Sequence, residues 1–235
     1  MPNWVKNKVI LGSRSKVERI IEKYSAEENG EKFLDFNKIL PMPEDLCIEY
    51  SSKSNDGLYI FYINQEDSVK EFLNNTLSIN DSWKQESMED ISIHMQKILN
   101  HYSNETDETL YRLGEKQYNN IKKYGHINWY SWALENWGTK WNSSNLRIDE
   151  EGKFFSFETA WDPAIPVLLK LSELEPDMKF AVIYADEQIG VYTGYVLFKN
   201  GKIDFKGGFE DHSIDAKKLA CDCWEVDFND LDDLD

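Results

Sequence analysis

The first forty residues of the chain predict a strand, a helix and an extended segment. Residues 4–11 form a run rich in Val and Ile that stops at Gly12, as is typical of a β-strand. Apolar residues then recur at helical spacing, and the helix that they predict ends at Asn29-Gly30. The positions concerned are Val17, Ile20, Ile21 and Tyr24. Pro41 and Pro43 require an extended connection after it.

Residues 65–124 differ from the preceding residues in composition and periodicity. They are polar, poor in Gly and Pro, and their apolar residues recur at helical spacing. We expect two to four helices here, inserted into a sheet domain, and a short strand at residues 57–63 before them. Three short apolar stripes carry this prediction: Val69, Phe72 and Leu73; then Ile91, Met95, Ile98 and Leu99; then Leu110, Leu113, Tyr118 and Ile121.

The tryptophan-rich run at residues 128–141 predicts a further helix that stops at Gly138. Strands are expected at Asn145–Ile148 and Phe154–Thr159, separated by a turn signal. Pro163 is expected to start the next helix, with Asp162 as its cap.

Two further strands, residues 180–184 and 191–198, precede the hairpin signal Asn200-Gly201. The second half therefore reads β-α-β-β, with helices on one face of an antiparallel sheet, which is an α+β fold. We expect an N-terminal β-α-β portion of the sheet domain at residues 1–64, a helical insertion at 65–124, a ferredoxin-like portion at 125–209 and an acidic tail at 210–235.

Composition favours a folded globule, since 41% of the 235 residues are hydrophobic and 14% are aromatic. No run of 18 apolar residues occurs and the start lacks a signal-peptide pattern, so we expect a soluble, cytoplasmic protein. The three cysteines cannot all pair within one chain, which fits a reducing compartment.

The formal net charge of −17 restricts the possible partners more than the rest of the composition does. Direct binding to nucleic-acid phosphates would have to overcome long-range repulsion, whereas an anionic surface attracts basic partners. No basic residue follows Lys218, so self-repulsion favours a tail that is solvated or ordered by a partner.

Several short sequence motifs, spaced along the chain, resemble those of one family of proteins. They are Met1-Pro2-Asn3-Trp4 with Asn7, the segment Phe36-Asn37-Lys38-Ile39-Leu40-Pro41-Met42-Pro43, the run from Trp129 to Trp141, and Phe157-x-Thr159-Ala160-Trp161-x-Pro163. Together they resemble the YubB-like proteins of phages and conjugative plasmids. The resemblance covers the start and most of residues 125–205.

The resemblance implies a C-terminal ferredoxin-like domain and a mobile-element setting, in which accessory proteins often counter host defence, including CRISPR systems. It transfers no catalytic or binding residues. Relatives often have cysteine after the opening Asn-Trp and two prolines after the later tryptophan, whereas this chain has Val5 and Ala164 there. A thiol role at the first position therefore cannot apply.

The tryptophans have two interpretations. Trp129, Trp132, Trp137 and Trp141 would form a base-stacking platform, but little more than Lys140 supplies positive charge nearby. Large aromatic residues at helical spacing are more often part of the core, and we favour that interpretation.

No catalytic or metal-binding set is evident. Cys221, Cys223 and His212 fall short of the four ligands of a structural zinc site. The other histidines, His94, His101 and His126, have no catalytic spacing, and we expect Lys206-Gly207-Gly208-Phe209 to form a turn rather than a phosphate loop. From the sequence we therefore expect a protein that is not an enzyme and that binds no metal and no cofactor.

The leading hypothesis is a non-enzymatic phage or mobile-element protein that inhibits a basic, nucleic-acid-binding host defence protein, as an anti-CRISPR inhibitor does. Its acidic surface would take the place of phosphates. The candidate partner-binding residues are Glu225, Asp227, Asp230, Asp232 and Asp233.

Two alternatives remain open. One is an enzyme or sensor that binds a small molecule or nucleotide in a pocket beside the tryptophan helix, lined by Trp129, Glu135, Asn136 and Trp161. The other is a structural accessory protein that assembles through the middle helices, where His94 and His101 share a predicted face.

Overall fold

The computed structural model describes residues 3–77 and 107–233. It divides the chain into two compact units. The sheet unit comprises residues 1–42 and 133–235, and the helical unit comprises residues 43–132. The helical unit thus begins before and ends after the predicted insertion at 65–124, and its second boundary falls within a helix.

The described helices and strands follow one another in a mixed order. In chain order they are β1 (Trp4–Ile10), α1 (Arg14–Tyr24), β2 (Ser25–Glu28), β3 (Glu31–Leu34), α2 (Ser52–Ile63), α3 (Asp67–Leu77), α4 (Asp107–Tyr124), α5 (Trp129–Asn136), β4 (Ser144–Ile148), β5 (Phe154–Ala160), α6 (Ile165–Leu174), β6 (Lys179–Asp186), β7 (Gly194–Lys199), β8 (Lys202–Gly208) and α7 (Ile214–Trp224). Short 3₁₀ turns occur at Phe36–Lys38, Glu44–Leu46 and Phe228–Asp233.

Six of the strands form one antiparallel sheet in the order β4-β5-β1-β6-β7-β8. Strand β1 pairs with β5 on one side and β6 on the other, so that Val9 lies opposite both Phe155 and Val182. The elements β1-α1-β4-β5-α6-β6 have the βαββαβ connectivity of a ferredoxin-like fold. This confirms the predicted α+β class. The helical unit is inserted between α1 and β4, and the β7–β8 hairpin extends the sheet beyond β6.

The side chains of β1 alternate between two different faces of the sheet, as the pleat requires. Val5 and Val9 are fully buried on the face that carries Phe155, Phe157 and Val182. Lys6 and Lys8 point to the other face, where α7 covers them. Helix α7 therefore lies on the sheet face opposite to the aromatic core. The sequence predicted helices on one face only and did not predict α7.

A buried carboxylate joins α1 to the end of α6. Glu175 is fully buried and accepts hydrogen bonds from Tyr24 Oη and Lys23 Nζ, both at 2.8 Å, and from Arg19. Burial by itself raises the pKa of Glu175, but the hydrogen bonds from Lys23 and Tyr24 and the nearby positive charges outweigh it and hold the pKa below its ordinary value. Helix α1 is thus fixed to α6 by a satisfied buried charge.

Two predicted boundaries in the N-terminal part are wrong. Helix α1 ends at Tyr24 rather than at Asn29-Gly30, and the chain turns directly into the β2–β3 hairpin. Asn29 and Gly30 have φ angles of 52° and 83°, which is the two-residue turn that matches the twist of paired strands. The same dipeptide serves as a helix stop or as a hairpin turn, and strand pairing decided between them.

The strand predicted at residues 57–63 is also wrong, because these residues belong to α2. Ser51 and Ser54 form a reciprocal capping box at its start, and Gly57 lies against Gly114 of α4. The helical unit packs around the buried side chains Leu58, Phe61, Tyr62, Leu73 and Ile121. The stripe predicted at residues 91–99 lies outside the described residues.

Three predictions in the second half need correction. Residues 206–208, which were expected to lie in a turn, continue strand β8 and pair with β7. Helix α6 begins at Ile165 rather than at Pro163, and Ala164 occupies the cap position instead of Asp162. Strand β7 begins at Gly194 rather than at residue 191, because Tyr192 adopts a left-handed φ of 47° that interrupts an extended strand.

Among the described residues, no helix has the length and apolar character needed to cross a membrane.

The buried Glu175 predicts a specific pH dependence. A carboxyl group with a lowered pKa in the folded state contributes stability above its ordinary pKa of about 4.5, and this contribution is lost as the pH falls further. We expect Glu175→Gln to lower the free energy of unfolding by about 2 kcal/mol at pH 7, since charged hydrogen bonds are replaced by neutral ones. Urea denaturation between pH 7 and pH 3 measures this. The difference from the parent protein should shrink below pH 4.5, whereas the exposed Glu173→Gln should show no such dependence.

The contact between α2 and α4 predicts a steric effect. A Cβ atom at Gly114 would lie 2.1 Å from the carbonyl oxygen of Gly57 and 2.5 Å from Cβ of Phe61. We expect Gly114→Ala to destabilise the protein by about 1–3 kcal/mol through overpacking, despite the higher helix propensity of alanine. The neighbouring Glu115→Ala is the control, and urea denaturation followed by far-UV circular dichroism is the measurement. An unchanged midpoint for Gly114→Ala would contradict the close helix contact.

Candidate functional site

Helix α7 fixes the acidic end of the chain to the sheet. Ser213 caps its first turn by accepting a hydrogen bond from the Ala216 N–H at 3.1 Å. Ala220 and Cys223 are fully buried against Ile183 and Ala185 of β6. The Trp224 indole N–H donates to the Asp186 carbonyl oxygen at 2.9 Å.

Two lysines of the central strand lie beneath this helix. Lys8 Nζ donates to both the carbonyl and a carboxylate oxygen of Asp222, each at 3.0 Å, and lies 4.2 Å from the centre of the Phe154 ring. Lys6 Nζ lies 5.3 Å from the centre of the Trp224 ring. Both lysine residues are only 6% exposed. The anchorage of the acidic segment is therefore electrostatic as well as apolar.

The predicted partner-binding acids follow directly after this anchor. Glu225 ends α7 with a left-handed φ of 60°, and its N–H bonds to the Cys221 carbonyl. Asp227 accepts a hydrogen bond from the Asn229 N–H at 2.9 Å and so starts the last 3₁₀ turn. Glu225, Asp227 and Asp230 are all exposed. The side chains of Asp232 and Asp233 lie outside the described residues.

The C-terminal segment, residues 210–235, carries nearly half of the net charge of the protein. Residues 210–235 contain ten acidic residues and two lysines, a net charge of −8 out of −17. The prediction that this tail is solvated or ordered only by a partner is wrong for residues 214–224 and 228–233, which form α7 and a 3₁₀ turn. Apolar packing of α7 offsets the self-repulsion of the carboxylates.

The cysteines take no part in a metal cluster within the part of the chain that the structure describes, where no group of three or more His, Cys, Asp or Glu side chains is placed to hold an ion. The Cys223 thiol donates to the Lys6 carbonyl at 3.3 Å, and burial raises its pKa to about 12. Cys47 is exposed in the helical unit. His212 lies on the turn before α7, where its backbone N–H donates to the Gly190 carbonyl.

The residues of the predicted pocket are divided between the two units. Trp129 starts α5 and belongs to the helical unit, whereas Glu135 and Asn136 at the end of that helix belong to the sheet unit. Trp161 follows β5 in the sheet unit. The pocket stays a prediction.

The tryptophans divide into buried and exposed groups. Trp132 and Trp137 are buried, as the core interpretation predicts, and Trp137 donates its indole N–H to the Leu40 carbonyl at 2.9 Å. Trp141 and Trp161 are 38% and 37% exposed, so the core interpretation does not extend to Trp141. These two tryptophans are therefore part of the protein surface.

The exposed indoles form a cluster around one lysine. Lys140 Nζ lies 4.4 Å from the centre of the Trp141 ring and 5.1 Å from that of Trp161. Trp4 lies 6.3 Å from Trp141 between ring centres. We refer to Trp4, Lys140, Trp141 and Trp161 as the tryptophan cluster. It lies where β1 begins and β5 ends.

The backbone at Trp161 is strained, with a left-handed φ of 71° that costs a bulky residue about 1–3 kcal/mol. Hydrogen bonds hold the turn in place. The Trp161 N–H donates to the Asn3 carbonyl at 2.9 Å, and Thr139 Oγ1 donates to the Ala160 carbonyl at 2.8 Å. The Tyr192 hydroxyl donates to Asp162 at 2.7 Å, and burial together with this bond raises the pKa of Tyr192.

The helical unit contains a groove that the sequence did not indicate. Two adjacent cavities of about 390 and 450 Å³ share Ile48 and Lys116. Acidic residues of the segment before α2 and basic residues of α4 face each other across it; they are Glu44, Asp45 and Glu49, and Arg112, Lys116 and Lys123. Lys123 Nζ bonds to Asp45 at 2.9 Å and lowers the pKa of that carboxyl. Charged side chains line this groove together with apolar ones such as Ile48 and Leu113, and no single sequence pattern marks that combination.

A comparison with family models agrees with the ferredoxin-like fold of the sheet unit. Residues 136–227 match a family model described as the ferredoxin-like domain in Api92-like protein. Among solved structures, the crystal structure of protein api92 from Yersinia pseudotuberculosis is similar at 11% identity, over 91% of this chain and 100% of that chain, with a TM-score of 0.41. No curated protein matches the chain. The match to the family model confirms the ferredoxin-like C-terminal part of the resemblance, under an Api92-like description.

The anchor of α7 predicts a stability effect at its ion pair. Asp222→Asn leaves the buried ammonium of Lys8 without a carboxylate partner, so we expect a loss of about 1–2 kcal/mol in the free energy of unfolding. Glu225→Gln, which removes an exposed acid three residues away, should have little effect. Urea denaturation followed by tryptophan fluorescence compares the two. Equal stability of Asp222→Asn and the parent would show that the pair does not hold the helix.

Proposed function

We propose that the chain is a non-enzymatic accessory protein of a phage or other mobile element. It binds and inhibits a basic, nucleic-acid-binding host defence protein in the bacterial cytoplasm, in the manner of an anti-CRISPR inhibitor. The resemblance to YubB-like proteins supports the mobile-element setting. The charge supports the nature of the partner.

The observation that carries the proposal is the row of exposed carboxylates on a firmly anchored segment. Glu225, Asp227 and Asp230 project from a backbone that α7 fixes to the sheet. Asp232 and Asp233 continue the row in sequence. Carboxylates held in this way bind arginine and lysine side chains that otherwise contact phosphates. Because the segment is ordered, binding incurs a smaller entropic cost than a disordered acidic tail would.

The second candidate function is binding of a small molecule, and the groove of the helical unit favours it. Its volume falls in the range of ligand sites, and it offers unlike charges on its two walls. Native mass spectrometry of the purified protein tests this alternative, since a co-purifying metabolite would support it.

Reversal of the acidic row tests the leading proposal. The variant Glu225→Lys, Asp227→Lys, Asp230→Lys should recover at least tenfold less basic, nucleic-acid-binding protein from a host lysate, because close charge pairs are each worth more than 1 kcal/mol. A matched control reverses three exposed acids of the β2–β3 hairpin, Glu27, Glu28 and Glu31. Affinity capture with quantitative mass spectrometry gives the readout. Equal recovery by the parent and by the acidic-row variant would refute the proposal.

A further inference from the structure

The tryptophan cluster holds a cation against two exposed indoles. The ammonium of Lys140 lies 4.4 and 5.1 Å from the ring centres of Trp141 and Trp161. The negative faces of indole rings attract cations, and tryptophan does so best among the aromatic side chains. More than a third of the surface of each tryptophan residue remains exposed, which leaves room for a further contact.

The surroundings hold this cluster in one geometry. Trp161 adopts its left-handed backbone within a turn bonded to Asn3, and Thr159 Oγ1 donates to the Asp162 carbonyl at 2.8 Å. Strained residues of this kind persist where the surrounding structure determines them, and they are concentrated at binding sites. The indole of Trp161 is therefore presented at the surface by fixed structure rather than by chance exposure.

We infer that Trp141 and Trp161 form a stacking site for an arginine side chain of a partner protein. This inference rests on the proposed function, because it names the group by which the basic partner is recognised. Asp162 is exposed beside Trp161 and adds negative charge. A guanidinium group is planar and weakly hydrated, so it stacks on indole better than the ammonium of Lys140 does.

The charge of the protein favours a cationic occupant over a nucleotide. Stacked bases also suit exposed indoles, but they bring phosphates to a protein of net charge −17. Arginine combines the planar shape that indoles bind with the sign of charge that the protein attracts. Binding of a nucleotide is the competing outcome of the test.

The indole N–H signals of isotope-labelled protein provide the test. Trp141→Phe and Trp161→Phe assign the two signals in a proton–nitrogen correlation spectrum. N-acetyl-arginine amide should shift both signals in a saturable way, N-acetyl-lysine amide should shift them less at equal concentration, and AMP should not. Absence of a shift with the arginine amide, or an equal shift with the lysine amide, would overturn the inference. A saturable shift with AMP alone would assign the site to nucleotides.

Two variants separate this inference from the proposed function. Lys140→Ala removes the internal cation, so the arginine amide should saturate the shift at a lower concentration. Phe205→Ala, at an exposed aromatic residue outside the cluster, should leave the titration unchanged. If the arginine amide binds but reversal of Glu225, Asp227 and Asp230 leaves partner capture intact, the inference stands and the proposed function fails. If partner capture depends on those acids but the arginine amide does not shift the indole signals, the proposed function stands and the inference fails.

Discussion

The pairing of strand β1 on both of its edges is the constraint on which the rest of the structure depends. All residues from Val5 to Val9 are at most 6% exposed, and they bond to β5 on one side and β6 on the other. Because β1 joins the two halves of the sheet, the strands that follow the helical unit find their places against it. A strand buried on both faces must still place its two sets of side chains in suitable surroundings.

The two faces of β1 meet this requirement in different ways. Val5 and Val9 contribute to an apolar core, in which burial removes hydrocarbon surface from water. Lys8 on the other face is neutralised by Asp222 of α7. The same strand also reaches the tryptophan cluster, since Asn7 donates to Thr159 at 2.9 Å and Thr159 bonds to Asp162. Both candidate surfaces of the sheet unit are thus connected to one central strand.

The order of the main elements was predictable because it depends on local patterns. The strand predicted before Gly12, the hairpin signal Asn200-Gly201 and the stop at Gly138 all agree with the structure. The ambiguous signals were those that two structures share. Asn29-Gly30 fits a helix end or a hairpin, and the apolar run of residues 57–63 fits a strand or a buried helix. The pairing of β2 with β3 settled the first case and the contact between Gly57 and Gly114 settled the second, and neither contact is visible in the local sequence.

The sequence by itself determined the fold class, the acidity of the protein and the position of its acids at the end of the chain. These properties follow from local periodicity and from composition, which need no knowledge of distant contacts. Only the tertiary structure decided that Lys8 is buried under an acidic helix and that Trp141 and Trp161 lie at the surface. Such outcomes depend on residues more than a hundred positions apart, and their proximity arises only when the sheet has formed.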